Sequence, residues 1–313
     1  MLSSVDNLDE RKNDPAVVAG RFGHRFDLLN VFELEILPDK CLLPLIIYIR
    51  SRMKHHVLLK SIAFLFLLNC HSLFAAEVST SGAQGESTGK PKVIIFDVNE
   101  TLLDLATMRE SVGKALGGRE DLLPLWFSTM LHHSLVVSAT GEYESFGDIG
   151  VAALQMVAEI NGIEITKEEA KTAILTPLRS LPAHPDVAEG LAALKAQGYK
   201  LVTLTNSSLA GVQMQLENAG LNEYFDANLS IEDVGLFKPH LATYQWALED
   251  LGIDADEALM VAAHGWDIAG ADKAGLQTAF VRRPTKVLFP LAPEPDYSVL
   301  DINDLVEVLT QSK

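Results

Sequence analysis

Cysteine is nearly absent from this chain: its 313 residues contain two, Cys41 and Cys70. Both precede residue 77, so the part that follows has no disulfide, no thiolate metal site and no cysteine nucleophile. Positive charge is also scarce. The chain holds 25 Lys and Arg against 42 Asp and Glu, a formal net charge of −17, with the acidic residues spread along its length rather than gathered in a tail. Nucleic-acid binding needs a basic face, because phosphate contacts supply most of its affinity. No such face is visible, so nucleic acid is not an expected partner. An acidic protein can still take a small anion where a few Lys, Arg or backbone N–H groups overrule the global field. A small anionic molecule is therefore the expected partner, and a homodimer is compatible with the length. The apolar run Ile62–Leu68 falls short of the roughly 20 residues that a bilayer-spanning helix needs, and Asn69, His71 and Ser72 interrupt it.

What that region does show is the layout of a secretory signal peptide. From Met53 a short basic start (Lys54, two His, Lys60) leads into the apolar run and then to small residues at Ala75 and Ala76. The expectation is a signal peptide over 53–76, a periplasmic or secreted mature protein, and membrane contact only through that signal. A membrane anchor or buried apolar segment is the alternative. Cys70 as a lipoprotein cysteine is a lesser one, because Asn69 stands where a small residue is usual. A signal beginning at Met53 makes that residue the expected start and 1–52 an over-extended N-terminus. Residues 77–90 are rich in Ser, Gly and Thr and read as a linker.

From residue 91 the chain is long enough to bury a sizeable core. Val93–Phe96 is a short apolar run ending at Asp97, which reads as a buried parallel strand. A helical block follows, with helices expected near Leu122–Leu135 and Ile149–Ile160 and a third announced by the capping box Thr166/Glu169. After 185, strands expected at Lys200–Leu204, Ala258–Ala262 and Thr278–Val281 alternate with helices at Asp186–Gln197, Ser208–Ala219, 240–251 and after Asp267. Such alternation indicates an α/β fold: a Rossmann-like parallel sheet core with an inserted helical cap. The boundaries expected are 91–106 and 183–313 for the core and 107–182 for the cap. Open α/β sheets bind ligands at the carboxyl ends of their strands. The polar residues directly after strands therefore matter, with any cation in the loops beside them.

Four such positions stand out: Asp97 in FDVNETLLDL, Thr205-Asn206 in LVTLTNSS, Lys238 in GLFKPHLATY, and His264 with Asp267 in LMVAAHGWDIAGA. Each alone has an ordinary explanation as a cap or turn residue. As an ordered set, an early Asp, a Thr-Asn, a Lys-Pro and a late Asp, they resemble the haloacid dehalogenase superfamily over roughly 91–285. The resemblance implies that Asp97 is a nucleophile forming an ester. It implies that Thr101 helps hold the Asp97 turn and that Thr205 and Asn206 donate to the substrate's anionic end. Lys238 would keep Asp97 ionised, and Asp267 matches a late-motif carboxylate.

The departures from the pattern bear on the chemistry. Phosphatases of the superfamily carry an acid two residues after the nucleophile, where this chain has Asn99, and a late metal ligand where it has Ala263. One carboxylate fewer makes a poor octahedral Mg²⁺ site, and phosphoryl transfer leans on metal and charge stabilisation. A halide leaves without a proton. The expectation is hence displacement at carbon with no cofactor and no metal. The late Gly265-Trp266-Asp267 and the Lys238–Tyr244 spacing resemble the type II (S)-2-haloacid dehalogenases, which places Tyr244 and Trp266 among the substrate contacts. That group has a cap Arg after a Leu-Trp pair; here Leu125-Trp126 is followed by Phe127, with Arg109, His132 and His133 as conceivable substitutes. His264 stands where the group commonly has Asn. It resembles a branch that activates water with a His and a Glu partner, here Glu100 or Glu110.

The leading expectation is a hydrolase that removes halide from short 2-haloacids to give 2-hydroxy acids. The alternatives are a phosphatase-like hydrolase of the same superfamily and an inactive exported binding protein.

Overall fold

The computed structural model describes residues 89–311. The expected signal peptide, the Met53 start, both cysteines and most of the 77–90 linker lie outside those residues.

Six strands form one parallel sheet: β1 (Val93–Phe96), β2 (Lys200–Thr205), β3 (Ala227–Ser230), β4 (Ala258–Ala262), β5 (Gln277–Val281) and β6 (Tyr297–Val299), in the order β3-β2-β1-β4-β5-β6. This is the expected α/β class. β1 is central, with Ile95 paired to Val202 on one side and to Met260 on the other. All four of its side chains are buried, which is why it reads as an unbroken apolar run rather than an alternating one. Ile94 and Phe96 join one apolar cluster, while Val93 and Ile95 join the cluster on the opposite face.

Five helices lie between β1 and β2, of which the first four form the insert: α1 (Arg109–Ala115), α2 (Leu123–Thr140), α3 (Phe146–Ile160) and α4 (Lys167–Leu178). α2 runs past the expected Leu135 to Gly141, whose φ of 75° suits a left-handed cap. α3 begins at Phe146, earlier than expected, because Ser145 Oγ accepts from Asp148 N at 3.1 Å. The Thr166/Glu169 capping box is present, with both reciprocal hydrogen bonds made. Trp126, Met130, Leu154 and Ile174 of these helices share one continuous apolar cluster with Ile94 and Phe96. The insert and one face of the sheet thus contribute to one continuous apolar core.

Five more helices complete the fold: α5 (Val187–Ala196), α6 (Leu209–Asn218), α7 (Leu241–Leu251), α8 (Gly265–Lys273) and α9 (Ile302–Gln311). α8 starts at Gly265, so Asp267 sits in its first turn and not ahead of the helix as expected. β3, β6 and α9 had no counterpart in the sequence reading. The two strands are edge strands of four and three residues with few apolar side chains. α9 does carry a helical period, with Ile302, Leu305 and Leu309 buried. Strand order reverses between β1 and β4, and a crevice at such a switch point is where these sheets bind ligands. Asp97 leaves the end of β1, and Ala263 and His264 leave the end of β4.

Candidate active site

A backbone contact explains the placement of Asp97: its N–H donates to Val261 O at 3.0 Å, which extends the β1–β4 pairing by one residue and fixes the carboxylate at the sheet's carboxyl edge. Lys238 Nζ donates to Asp97 Oδ1 at 3.0 Å, to Asp267 Oδ2 at 2.7 Å and to Leu204 O at 2.7 Å, which satisfies all three of its protons. Thr101 Oγ1 donates to Asp97 Oδ2 at 2.6 Å and accepts from Ala263 N at 2.9 Å. His264 joins the same carboxylate: Nδ1 lies 3.1 Å from Asp97 Oδ2, and Nε2 lies 2.9 Å from Glu100 Oε2. Glu100, not Glu110, is therefore the partner of this histidine. A turn makes this possible, because Glu100 takes a φ of 64°, a left-handed backbone that non-glycine residues rarely adopt.

Burial sets large penalties on these charges, and the pairing decides the outcome. Burial would raise Asp97, but the Lys238 charge, the His264 hydrogen bond and Thr101 hold it well below the usual carboxylate range. Asp267 goes the other way: burial and the nearby Asp97 charge raise it, against the pull of Lys238. Lys238 is held above its ordinary value, since Asp267 and Asp97 outweigh burial. Burial would depress His264 too, yet hydrogen bonds to Asp97 and Glu100, and their charges, lift it to about 9. This is well above the roughly 6.5 of an ordinary imidazole. In the resting protein at neutral pH, His264 is a cation between two carboxylates.

Several expected contacts sit elsewhere. Tyr244 is fully buried and donates to Asp267 Oδ1 at 2.5 Å, so it braces Asp267 from behind and does not line a substrate cavity. Thr101 is likewise fully buried, with its hydroxyl spent on Asp97 and Ala263; it positions the Asp97 carboxylate. Thr205 Oγ1 accepts from Ser207 N at 3.1 Å, and Asn206 Oδ1 accepts from Lys238 N at 3.0 Å, which leaves the Asn206 NH₂ as its donor end. His132 and His133 pack edge to face on each other and lie outside the cavity beside the site.

That cavity, about 690 Å³, is walled by Phe127, His264, Trp266, Arg109, Arg283 and Lys286 among others. Trp266 stacks on His264 with ring centroids 4.8 Å apart, and Phe127 stacks at 6.1 Å. Trp266 is thus an aromatic wall of this cavity. Asp97 is not on the wall; its side chain is 7 % exposed behind His264. Arg283 is held by a bidentate pair with Asp186 at 2.6 and 2.9 Å and donates from Nε to Thr101 O. Sequence reasoning missed Arg283 and Lys286, although both are cations in the loop after β5. It also missed Gln215, which donates to Asn99 Oδ1 at 2.9 Å while Asn99 donates to Ser207 Oγ at 3.1 Å.

The carboxylates do not fit a divalent cation. The ammonium of Lys238 bridges Asp97 and Asp267, Asn99 is committed to Ser207 and Gln215, and Ala263 offers no side-chain oxygen. Hard cations such as Mg²⁺ need several free oxygen ligands.

The chain that carries this site is similar to known proteins. The family description "haloacid dehalogenase-like hydrolase" matches residues 91–275. The chain belongs to this family. It is 29% identical over 218 residues to the (S)-2-haloacid dehalogenase of Pseudomonas sp. (strain YL), covering 69% of this chain and 94% of that protein. It is 30% identical to (S)-2-haloacid dehalogenase 4A of Burkholderia cepacia, covering 69% and 93%. Among solved structures, the L-2-haloacid dehalogenase of Xanthobacter autotrophicus with chloropropionic acid covalently bound is similar with a TM-score of 0.64 and 26% identity. That match covers 70% of this chain and 98% of the other.

Proposed function

We propose that this family member hydrolyses the carbon–halogen bond of short 2-haloacids through an ester on Asp97. The observation that carries the reading is the Asp97–Lys238 pair at 3.0 Å, in a site whose position 99 is an amide engaged in its own hydrogen bonds. A carboxylate held ionised by a buried cation is a ready nucleophile. Without an acid at position 99, a leaving group that departs as a stable anion is favoured over one that needs a proton.

In the first step an Asp97 oxygen attacks the substrate Cα, and the halide leaves with the bonding pair. The ester no longer carries the Asp97 charge that favoured imidazolium at His264, so the imidazolium releases its proton to solvent. His264 then accepts a proton from water as the oxygen adds to the ester carbonyl carbon. The adduct collapses to the Asp97 carboxyl and an alkoxide, which takes that carboxyl's proton. The product is a 2-hydroxy acid, and His264 ends protonated as it began. Asn206 and the cations of the cavity would receive the substrate carboxylate. Because Asp97 is only 7 % exposed, His264 and the Phe127 and Trp266 rings that stack on it would have to shift for substrate to reach it.

Halide release from chloroacetate and 2-chloropropionate, and phosphate release from p-nitrophenyl phosphate, each measured with and without EDTA, test this reading. Halide release undiminished by EDTA is expected. Phosphate release that EDTA abolishes would replace this reading with a phosphatase, and no release of either would replace it with a binding protein.

A further inference from the structure

Position 127, where the cap cation of related proteins is expected, holds Phe, yet a cation does stand over that ring. Lys286, in the loop after β5, places Nζ 5.6 Å from the Phe127 ring centroid. The same Nζ lies 2.5 Å from Glu100 Oε1, and the other oxygen of that carboxylate meets His264 Nε2 at 2.9 Å. The Lys286 side chain is 19 % exposed, with its stem against the cavity wall.

Backbone geometry marks the same contact independently. Among the described residues only two non-glycine residues have positive φ: Glu100 at 64° and Thr285 at 66°. One is a member of the pair, and the other directly precedes Lys286. Such conformations persist only where their surroundings enforce them, and they gather at functional sites. The loop is also seated closely on α8. A Cβ at Gly265 would lie 2.9 Å from Phe289 N and 3.0 Å from Val287 O, so glycine there lets the loop backbone reach the residue next to His264.

We propose that Lys286 is a positioning residue that completes a relay, Lys286–Glu100–His264, and sets the proton affinity of His264 once Asp97 is esterified. The inference rests on the ester mechanism above. Asp97 and Glu100 both favour imidazolium in the resting protein. Alkylation of Asp97 removes one of them. Lys286 then shares the remaining carboxylate and repels a positive imidazole, which tilts His264 toward the neutral form that accepts a proton from water. Other charged groups facing this cluster are otherwise engaged. Lys238 is held by Asp97 and Asp267, Arg283 by Asp186, and Arg109 donates to Glu120 O at 3.2 Å. Asp104 lies across the cavity, its Oδ1 accepting from Ala106 N, and His184 is kept toward its neutral form by burial and Arg283.

The test does not require a substrate. Asp97→Asn gives position 97 the neutrality it has in the ester, and the His264 ring is titrated by NMR in that background. Adding Lys286→Met should raise the imidazole pKa by about one unit, and adding Lys286→Arg should leave it in place. An unchanged pKa with Met overturns the proposal. In the turning-over enzyme, Lys286→Met should slow ester hydrolysis about tenfold at neutral pH, with recovery when the pH rises by about one unit. A rate lowered evenly at every pH would make Lys286 a mere support of its loop and would also overturn it. Should no haloacid be turned over at all, the reaction reading fails, while the titration still decides the relay.

Discussion

His264 Nδ1 lies 3.1 Å from Asp97 Oδ2, the oxygen that also accepts from Thr101 at 2.6 Å. The proposed nucleophile and the proposed base are thus in direct contact, and the protonation of one follows the charge of the other. In the proposed cycle, that coupling would let a histidine held at about 9 in the resting protein serve as a base once Asp97 is esterified.

The step that fails on removing His264 follows from this. His264→Ala should release one halide per enzyme and then stall, with the Asp97 ester visible as a mass increase on the intact protein. Turnover near the normal rate would move the base elsewhere, with Asp267, held by Lys238, the next candidate.

Covalent catalysis has its own signature. Asp97→Asn should abolish turnover, and a single turnover of the unmodified enzyme in ¹⁸O-water should place label in the Asp97 carboxylate. Label confined to the product in that first turnover would mean that water attacks the substrate directly.

Stability should carry the mark of the raised imidazole. Its pKa in the folded state, about 9, exceeds the roughly 6.5 of an unfolded His. The contribution is therefore complete below about pH 6.5 and is lost as pH climbs through about 9. A shift of that size corresponds to on the order of 3 kcal/mol. The difference in Tm between the native protein and His264→Gln should narrow by on the order of 5–10 °C between pH 6 and pH 10. A difference independent of pH would mean that His264 is not charged in the fold.

Export makes a prediction about the other end of the chain. If residues 53–76 act as a signal peptide, N-terminal sequencing of the mature protein should begin near Ala76 or Glu77. Recovery of residues 1–52 on mature protein in the cytoplasm would overturn both the start and the compartment.

Much of the fold was legible in local pattern. Val93–Phe96 reads as a buried strand because both of its faces are covered, and Thr166 with Glu169 announces α4 because the two satisfy each other's orphan groups across one turn. β3 and β6 were not legible, because short edge strands gain their pairing from a neighbour and carry little apolar signal of their own.

By itself, the sequence determined the α/β class and placed Asp97, Lys238, His264 and Asp267 just after strands or in the loops beside them, where a parallel sheet exposes its ligand edge. Only the tertiary structure decided their partnerships. It chose Glu100 over Glu110 for His264, turned Tyr244 into a brace for Asp267, and brought Lys286 across the cavity to Glu100. The reason is physical. Periodicity and capping act within a few residues and are written in the order of side chains. The charge of a buried imidazole instead depends on which distant carboxylates the packing brings within about 3 Å, where burial makes each such contact count for most.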